Sequence, residues 1–297
     1  MKISKLPTGR YVLAVSGGVD SVVLLDLLSQ QSDLELVVAH FNHGIRPDSD
    51  EDEVLVAKLA SQYNVPFVFE RGHLGGNVSE ADARNARYQF LDRVLHEQQA
   101  AAIVTAHHED DMLETAIINV LRGTGRKGLS SLQSHDHLLR PLLHASKESI
   151  YEYAKTHKLE WREDSTNQDE KYLRNYVRHS IMTKFSPAQR EQLLGIISKA
   201  KQLNEAIDEL LNTELHIDIN KDAISRHWFI MLSHSVAREV LLGWLRTRNN
   251  GMTLDRKTLE YIVLQAKTLS PGQRISVSKD LEIEVSKERL ALKHLDR

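Results

Sequence analysis

Short apolar runs alternate with helix-length segments over the first 122 residues of the chain. Strands that are apolar almost throughout and alternate with helices are typical of a parallel sheet with both faces covered. We therefore predict an α/β fold with a doubly wound, mainly parallel sheet. The predicted strands are 11–15, 34–40, 66–70 and 102–106, and the predicted helices are 21–30, 50–63, 79–98 and 109–122.

Conspicuous polar stretches follow three of these predicted strands, at residues 16–21, 40–46 and 107–111. The carboxyl ends of parallel strands meet at one edge of a sheet, and ligands bind there, where the strand order reverses. The three stretches are therefore expected to form one site.

The pattern changes after about residue 140. Pro187 follows Lys184–Phe185–Ser186 and indicates a domain junction, because proline restricts the residue before it. From about 188 to 269 the pattern is helical, and the remaining tail alternates like a small antiparallel β unit. We predict a catalytic domain at 1–186 and a mostly helical second domain at 187–297, ending in a β hairpin.

Composition excludes several classes of function. The 297 residues contain no cysteine, so disulfides, thiolate zinc sites and cysteine nucleophiles are excluded. No apolar stretch approaches the roughly 20 residues that span a bilayer. The N-terminus runs directly into a predicted strand and leaves no room for a signal peptide, so a cytoplasmic protein without membrane segments is expected.

The stretch SGGVDS (16–21) links a predicted strand to a predicted helix. Two glycines let backbone N–H groups converge on one point, and the positive end of the following helix faces the same point. This arrangement suits phosphate. Asp20 would repel phosphate unless a cation lay between them, so we predict a bridging Mg²⁺. The alternative is an ordinary helix cap in a strand–helix turn.

Three further segments carry clustered polar groups. In HFNHGIR (40–46) the histidine spacing is only weak evidence for a metal. TAHHEDDMLET (105–115) is compatible with a metal cluster, a substrate site or a charged helix start. EADARNARY (80–88) places Arg84 and Arg87 on one helical face, where they meet phosphate or stay solvated.

SGGVDS resembles the pyrophosphate-binding loop of the N-type ATP pyrophosphatases, whose fold is adenine nucleotide alpha hydrolase-like. With the other segments, the chain resembles the tRNA(Ile)-lysidine synthase family. That family shows, in the same order, an SGG-x-DS loop and segments matching HFNHGIR, ARNARY, AHHEDDMLET, RGTG, RPLL and DSTN followed by RNYVR. The match covers about residues 10 to 185. Longer family members carry a further C-terminal tRNA-binding domain, which this chain is expected to lack.

The resemblance implies an ATP-dependent ligase that joins free L-lysine to carbon 2 of the wobble cytidine in CAU-anticodon tRNA(Ile). The intermediate is an adenylated cytidine, and AMP and pyrophosphate are released. ATP and Mg²⁺ are the expected cofactors, and tRNA(Ile), L-lysine and a second copy of the chain are the expected partners.

The resemblance also implies roles for individual residues. Expected to bind ATP are Ser16, Gly17, Gly18, Val19, Asp20 and Ser21, with Asp20 also on Mg²⁺. The expected catalytic residues are Asp20, Arg87, His107, His108 and Asp111. The expected substrate-binding residues are His43, Arg46, Arg84, Glu114, Arg122, Arg126, Lys127, Asn167, Arg174, Asn175 and Arg178.

Three other functions compete with this interpretation. A tRNA thiolase on the same loop would transfer sulfur through cysteines or an iron–sulfur cluster, and the chain has no cysteine. An amide-forming synthetase would lack the combination of HFNHGIR, AHHEDD and the arginine-rich stretch. A non-catalytic tRNA-binding module would not need Asp20 or the AHHEDDMLET cluster.

Overall fold

The computed structural model describes residues 1, 3, 5–44, 49–72, 80–163, 173–213, 222–246 and 254–295. The chain forms two compact units, residues 1–201 and 202–297. The predicted domain boundary at 186 stays a prediction.

The first unit contains a five-stranded parallel sheet in the order β3-β2-β1-β4-β5. Its strands are β1 Gly9–Ala14, β2 Leu34–Asn42, β3 Phe67–Arg71, β4 Ala102–Val104 and β5 Leu138–Leu139. The order reverses between β1 and β4, so the predicted doubly wound sheet is confirmed, and the ends of these two strands bound the expected ligand crevice.

Helices connect the strands and cover both faces. They are α1 Val19–Ser29, α2 Ser49–Gln62, α3 Glu80–Glu97, α4 Glu109–Leu121 and α5 Lys147–Thr156. Each of the first four helices and first four strands begins and ends within two residues of its predicted bounds. The RPLL stretch (140–143) follows β5 as a turn, because Pro141 has no N–H to donate to a strand ladder.

Neighbouring residues of each strand point to opposite faces of the sheet. Val12 and Ile103 pack on one face with Phe90 of α3, whereas Leu13 and Val104 pack on the other face with α1 and α5. All five side chains are 3% exposed or less. Because each strand is buried on both faces, its sequence is apolar without alternation.

A third apolar cluster joins α4 to residues from 173 onward, where the described part of the chain resumes after 163. After α6 Leu173–Tyr176, a π-helical turn Val177–Ile181 and a 3₁₀ turn Met182–Lys184 lead into α7 Pro187–Thr213. Leu113 of α4, Val177, Met182 and Ile197 of α7 share this cluster. It fixes the 173–184 segment against α4, beside the carboxyl end of β4.

The second unit has a core of its own around Phe229 and Trp244, both fully buried. Its elements are β6 Ala223–Ser225, α8 Arg226–Met231, α9 His234–Arg246, α10 Arg256–Thr268, β7 Arg274–Ser276, β8 Leu281–Val285 and β9 Arg289–His294. The strands form an antiparallel sheet in the order β6-β9-β8-β7. The predicted helical part and C-terminal β unit are confirmed, and the sheet also recruits β6.

Candidate functional site

The loop after β1 turns sharply into α1. Gly17 has φ +93°, a conformation that favours glycine. Gly18 caps α1 and provides no side-chain hydrogen bond to its first turn. Ser21 donates its hydroxyl to the Gly18 carbonyl at 2.9 Å and accepts from the Ser16 N–H at 3.2 Å. The loop is thus held internally, while the start of α1 keeps the features of an anion site.

Asp20, in the first turn of α1, is paired with Lys147, in the first turn of α5. The Lys147 ammonium donates to both carboxylate oxygens of Asp20, at 2.6 and 2.7 Å. The two side chains are 27% and 31% exposed, so the pair lies at an accessible surface.

A Mg²⁺ ion at a nucleotide site takes one or two carboxylates and completes its shell with phosphate oxygens and water. Asp20 is suited to be one of these carboxylate ligands, because its carboxylate already binds the Lys147 ammonium beside the glycine loop. Within the described part of the chain, no group of three or more histidine, aspartate or glutamate side chains is arranged to hold a metal.

His108 and Asp111 connect this loop to the start of α4. His108 is buried at the N-cap position, and its backbone N–H donates to the Asp111 carboxylate at 3.0 Å. The His108 Nε2 atom lies 3.7 Å from an Asp20 oxygen and 3.5 Å from an Asp111 oxygen. The ends of β1 and β4 therefore bring Asp20, His108 and Asp111 together, as the sequence predicted.

Glu114, one turn further along α4, is fully buried between two arginines. Arg174 donates Nε to one Glu114 oxygen at 2.9 Å, and Arg178 donates Nε to the other at 2.6 Å. Arg174 also bonds Asp111 at 3.0 Å. Burial opposes ionisation of Asp111, but His108 and Arg174 outweigh it and hold the pKa of Asp111 below its ordinary value.

A second group of arginines lies around His107. Burial lowers the pKa of His107; the Asp111 charge opposes this shift, while Arg140, Arg87 and Arg84 reinforce it. The His107 Nδ1 atom pairs with the Thr105 hydroxyl at 2.8 Å. His107 is therefore a neutral imidazole at physiological pH.

The positive charges of the arginines around His107 are only partly balanced by neighbouring groups. Burial lowers the pKa of Arg87 and of Arg140, and the charge of Arg84 lowers both further. The buried Nε atoms of Arg87 and Arg140 have no hydrogen-bond partner among the described residues. The Arg84 guanidinium lies 4.9 Å from the Tyr88 ring centroid. This arginine cluster (Arg84, Arg87 and Arg140) would be stabilised by an anion.

Other expected site residues lie apart from this centre or outside the described residues. Arg122, Arg126 and Lys127 follow the far end of α4, whose 13 residues span about 20 Å. His43 follows β2, with its ring 4.9 Å from that of Phe41. Asn175 lies in α6, and Arg46 and Asn167 fall outside the described residues. The roles of these residues stay predictions.

The first histidine of the HxxH segment has a backbone partner. His40 is buried in β2, and its Nδ1 lies 2.8 Å from the Val15 carbonyl. Burial lowers its pKa. His40 therefore has a structural role in joining β2 to the loop after β1.

Sequence reasoning missed Lys147 and Arg140. Lys147 had a recognisable signal, because a cation in the first turn of a helix opposes the helix dipole and indicates a nearby acid. Arg140 follows a two-residue strand, and its burial (7% exposed) depends on contacts that local sequence does not show.

Replacement of His107 by asparagine is expected to make the protein less sensitive to acid. The folded state lowers the pKa of His107 from its ordinary value of 6.5. As pH falls below 6.5, the unfolded state therefore binds a proton that the folded state does not, and the free energy of unfolding decreases. Above pH 6.5 this loss of stability is absent. Urea unfolding at about pH 7.5 and about pH 5 should show a smaller loss of stability in the variant than in the wild type.

The matched control is His137→Asn, at an exposed histidine, which should keep the wild-type loss. His40 also has a lowered pKa and remains in both variants, so part of the acid sensitivity should persist. An unchanged loss in His107→Asn would show that His107 is not held neutral.

No helix in the described ranges combines the length and apolarity needed to cross a bilayer.

The chain is similar to proteins of a known family. A family model described as a PP-loop domain matches residues 2–185. A tRNA(Ile)-lysidine synthase of Histophilus somni (strain 2336) is 36% identical over 222 residues, which cover 70% of this chain and 51% of that protein. One from Actinobacillus pleuropneumoniae serotype 3 is 32% identical over 251 residues, covering 80% and 59%. The chain thus spans about half the length of the curated relatives it matches.

A solved structure with a similar fold is the U34-tRNA thiolase of Methanococcus maripaludis. Its TM-score is 0.52 at 16% sequence identity, over 67% of this chain and 74% of that chain. At this identity the likeness concerns the fold alone.

Proposed function

The chain belongs to the PP-loop domain family, and from this premise we propose that it is a tRNA(Ile)-lysidine synthase. It would use ATP and Mg²⁺ to ligate L-lysine to carbon 2 of the wobble cytidine of CAU-anticodon tRNA(Ile). The observation that carries the proposal is the meeting of the glycine loop and the AHHEDD segment, where His108 lies within 3.7 Å of Asp20 and 3.5 Å of Asp111.

The glycine loop and the start of α1 would hold the phosphates of ATP. Their N–H groups and the helix dipole favour negative charge. Asp20 would hold Mg²⁺, which neutralises phosphate charge when bound. The cytosine O2 would then attack the α-phosphorus, so that an O–P bond forms and pyrophosphate leaves. The carbon of a ring carbonyl is a poor electrophile until its oxygen is adenylated, because AMP can then leave with that oxygen.

The lysine ε-amine would attack carbon 2 of the adenylated cytosine, with a C–N bond forming as the C–O bond to AMP breaks. The amine attacks only when neutral, so a proton must go to a base. Neutral His107, which feels the charge of Asp111, would serve as this base. An anion on the arginine cluster would cancel part of the field that lowers the pKa of His107, making it a better base once substrate is bound.

The anticodon loop suits such a site because its bases are single-stranded and are extruded at low energetic cost. The arginine cluster would contact a tRNA phosphate beside the reacting base, while Arg122, Arg126 and Lys127 would contact phosphates about 20 Å away. Because the reaction needs ATP, free lysine and tRNA together, we propose the cytoplasm as its location and a homodimer as the assembly.

The test is incorporation of radiolabelled lysine into a tRNA(Ile) transcript bearing CAU, with ATP and Mg²⁺. Incorporation should require ATP and should be much lower with an elongator tRNA(Met) transcript, which has a similar anticodon loop. Release of AMP and pyrophosphate without lysine incorporation would point to another nucleophile, such as ammonia or sulfur. Absence of any ATP turnover would leave a tRNA-binding module and overturn the proposal.

A further inference from the structure

Lys147 is placed where the local backbone disfavours a cation. It lies in the first turn of α5, whose N-cap Ser146 accepts the Ser149 N–H at 3.2 Å. The positive end of a helix repels an ammonium group. That placement is stable here because both oxygens of Asp20 accept from the ammonium, at 2.6 and 2.7 Å.

The backbone position of Lys147 is fixed by the packing of α5 against α1. Ile150 and Ala154 of α5 are fully buried in the core that contains α1. Tyr153 of α5 donates its hydroxyl at 2.7 Å to Asp26 of α1. The Lys147 backbone therefore cannot move away from the glycine loop, whereas its four-carbon side chain can swing.

A divalent ion bound to the Asp20 carboxylate would repel the Lys147 ammonium and compete with it for the two oxygens. A displaced ammonium would remain tethered beside the loop. The phosphate oxygens that arrive with the metal then offer it new acceptors, because lysine is a common phosphate ligand. The pair is partly exposed, so its exchange costs little.

We propose that Lys147 is a phosphate-binding residue of the nucleotide site, held on Asp20 until the metal–nucleotide complex displaces it. The inference rests on the proposed ATP site but is independent of the tRNA and of lysine. It assigns two opposite effects to one side chain. Lys147 competes with a free metal ion for Asp20, and it stabilises the bound triphosphate.

Two binding measurements on the full chain test this proposal. Mn²⁺ is titrated into the nucleotide-free protein and followed by electron paramagnetic resonance, and α,β-methylene-ATP with Mg²⁺ is titrated by calorimetry. Lys147→Met should tighten Mn²⁺ binding about two- to fivefold, because the competing ammonium is gone. It should weaken binding of the analogue about tenfold or more, because a charge-assisted phosphate contact is lost.

Three further variants control the result. Lys147→Arg keeps the positive charge and should bind the analogue within about threefold of the wild type. Lys155→Met removes an exposed lysine from the last turn of the same helix and should change neither affinity. If Lys147→Met does not fold, as judged by circular dichroism, Lys147→Gln should give the same two directions.

Unchanged analogue affinity in the neutral variants would overturn the phosphate role, and unchanged or weaker Mn²⁺ binding would overturn the competition with metal. Neither titration contains tRNA or lysine. A wild type that binds the analogue yet incorporates no lysine would therefore refute the proposed function and leave this inference standing. A wild type that does not bind the analogue would refute both.

Discussion

Replacement of Asp20 by asparagine is expected to abolish ATP-dependent lysine incorporation, with a fall of about a thousandfold in rate. Asparagine keeps the size and shape of the side chain but removes its negative charge. It would then hold neither a metal ion beside the phosphates nor the Lys147 ammonium, which now lies 2.6 Å away. Single-turnover release of AMP, measured with saturating tRNA and lysine, gives the rate directly.

The control for Asp20→Asn is Asp33→Asn. Asp33 is paired with Lys5 rather than with any site residue. This variant should keep the wild-type rate, and both variants should unfold at similar denaturant concentrations, since the Asp20 pair is partly exposed. Activity of Asp20→Asn within tenfold of the wild type would contradict the role of this carboxylate in the nucleotide site.

The sheet and its ligand edge could be predicted because their signals are local. Val12 and Leu13 are adjacent and both buried, which occurs when a strand is covered on both faces. Gly17 and Gly18 end such a strand just before a helix, so their place at the carboxyl edge follows from the order of elements along the chain. The juxtaposition of Asp20 with His108 then required only that β1 and β4 be neighbours.

The partners of the charged residues could not be predicted in the same way. Arg174 and Arg178 were expected to bind substrate, and both donate to the buried Glu114, 60 and 64 positions away in the sequence. Lys147 pairs with Asp20 across 127 positions. A periodic pattern shows which face of a helix is buried, but it does not show which distant helix covers that face. Such pairs depend on tertiary packing alone.

Replacement of Glu114 by glutamine is expected to destabilise the protein by about 3 kcal/mol, because it leaves two guanidinium groups without their shared counter-ion at a buried position. Glu114 is fully buried, and it accepts from Arg174 at 2.9 Å and from Arg178 at 2.6 and 3.0 Å. Guanidinium chloride unfolding, with its slope compared between variants, measures the loss.

Loss of the Glu114 charge should also release the 173–178 segment from α4. Arg174 would keep its 3.0 Å contact with Asp111 but would lose its ion pair with Glu114, so hydrogen exchange in this segment should quicken more than in the strands.

A double-mutant cycle with Arg178→Met separates the Glu114–Arg178 interaction from general damage to the fold. If the two charges stabilise one another, Arg178→Met should lower the free energy of unfolding less in the Glu114→Gln background than in the wild type. The reason is that the arginine in that background has already lost its partner. Additive losses would show that the residues act independently. In that case Glu114 would be available to a substrate, as the family resemblance implied, instead of serving to fix the arginine-bearing segment beside the site.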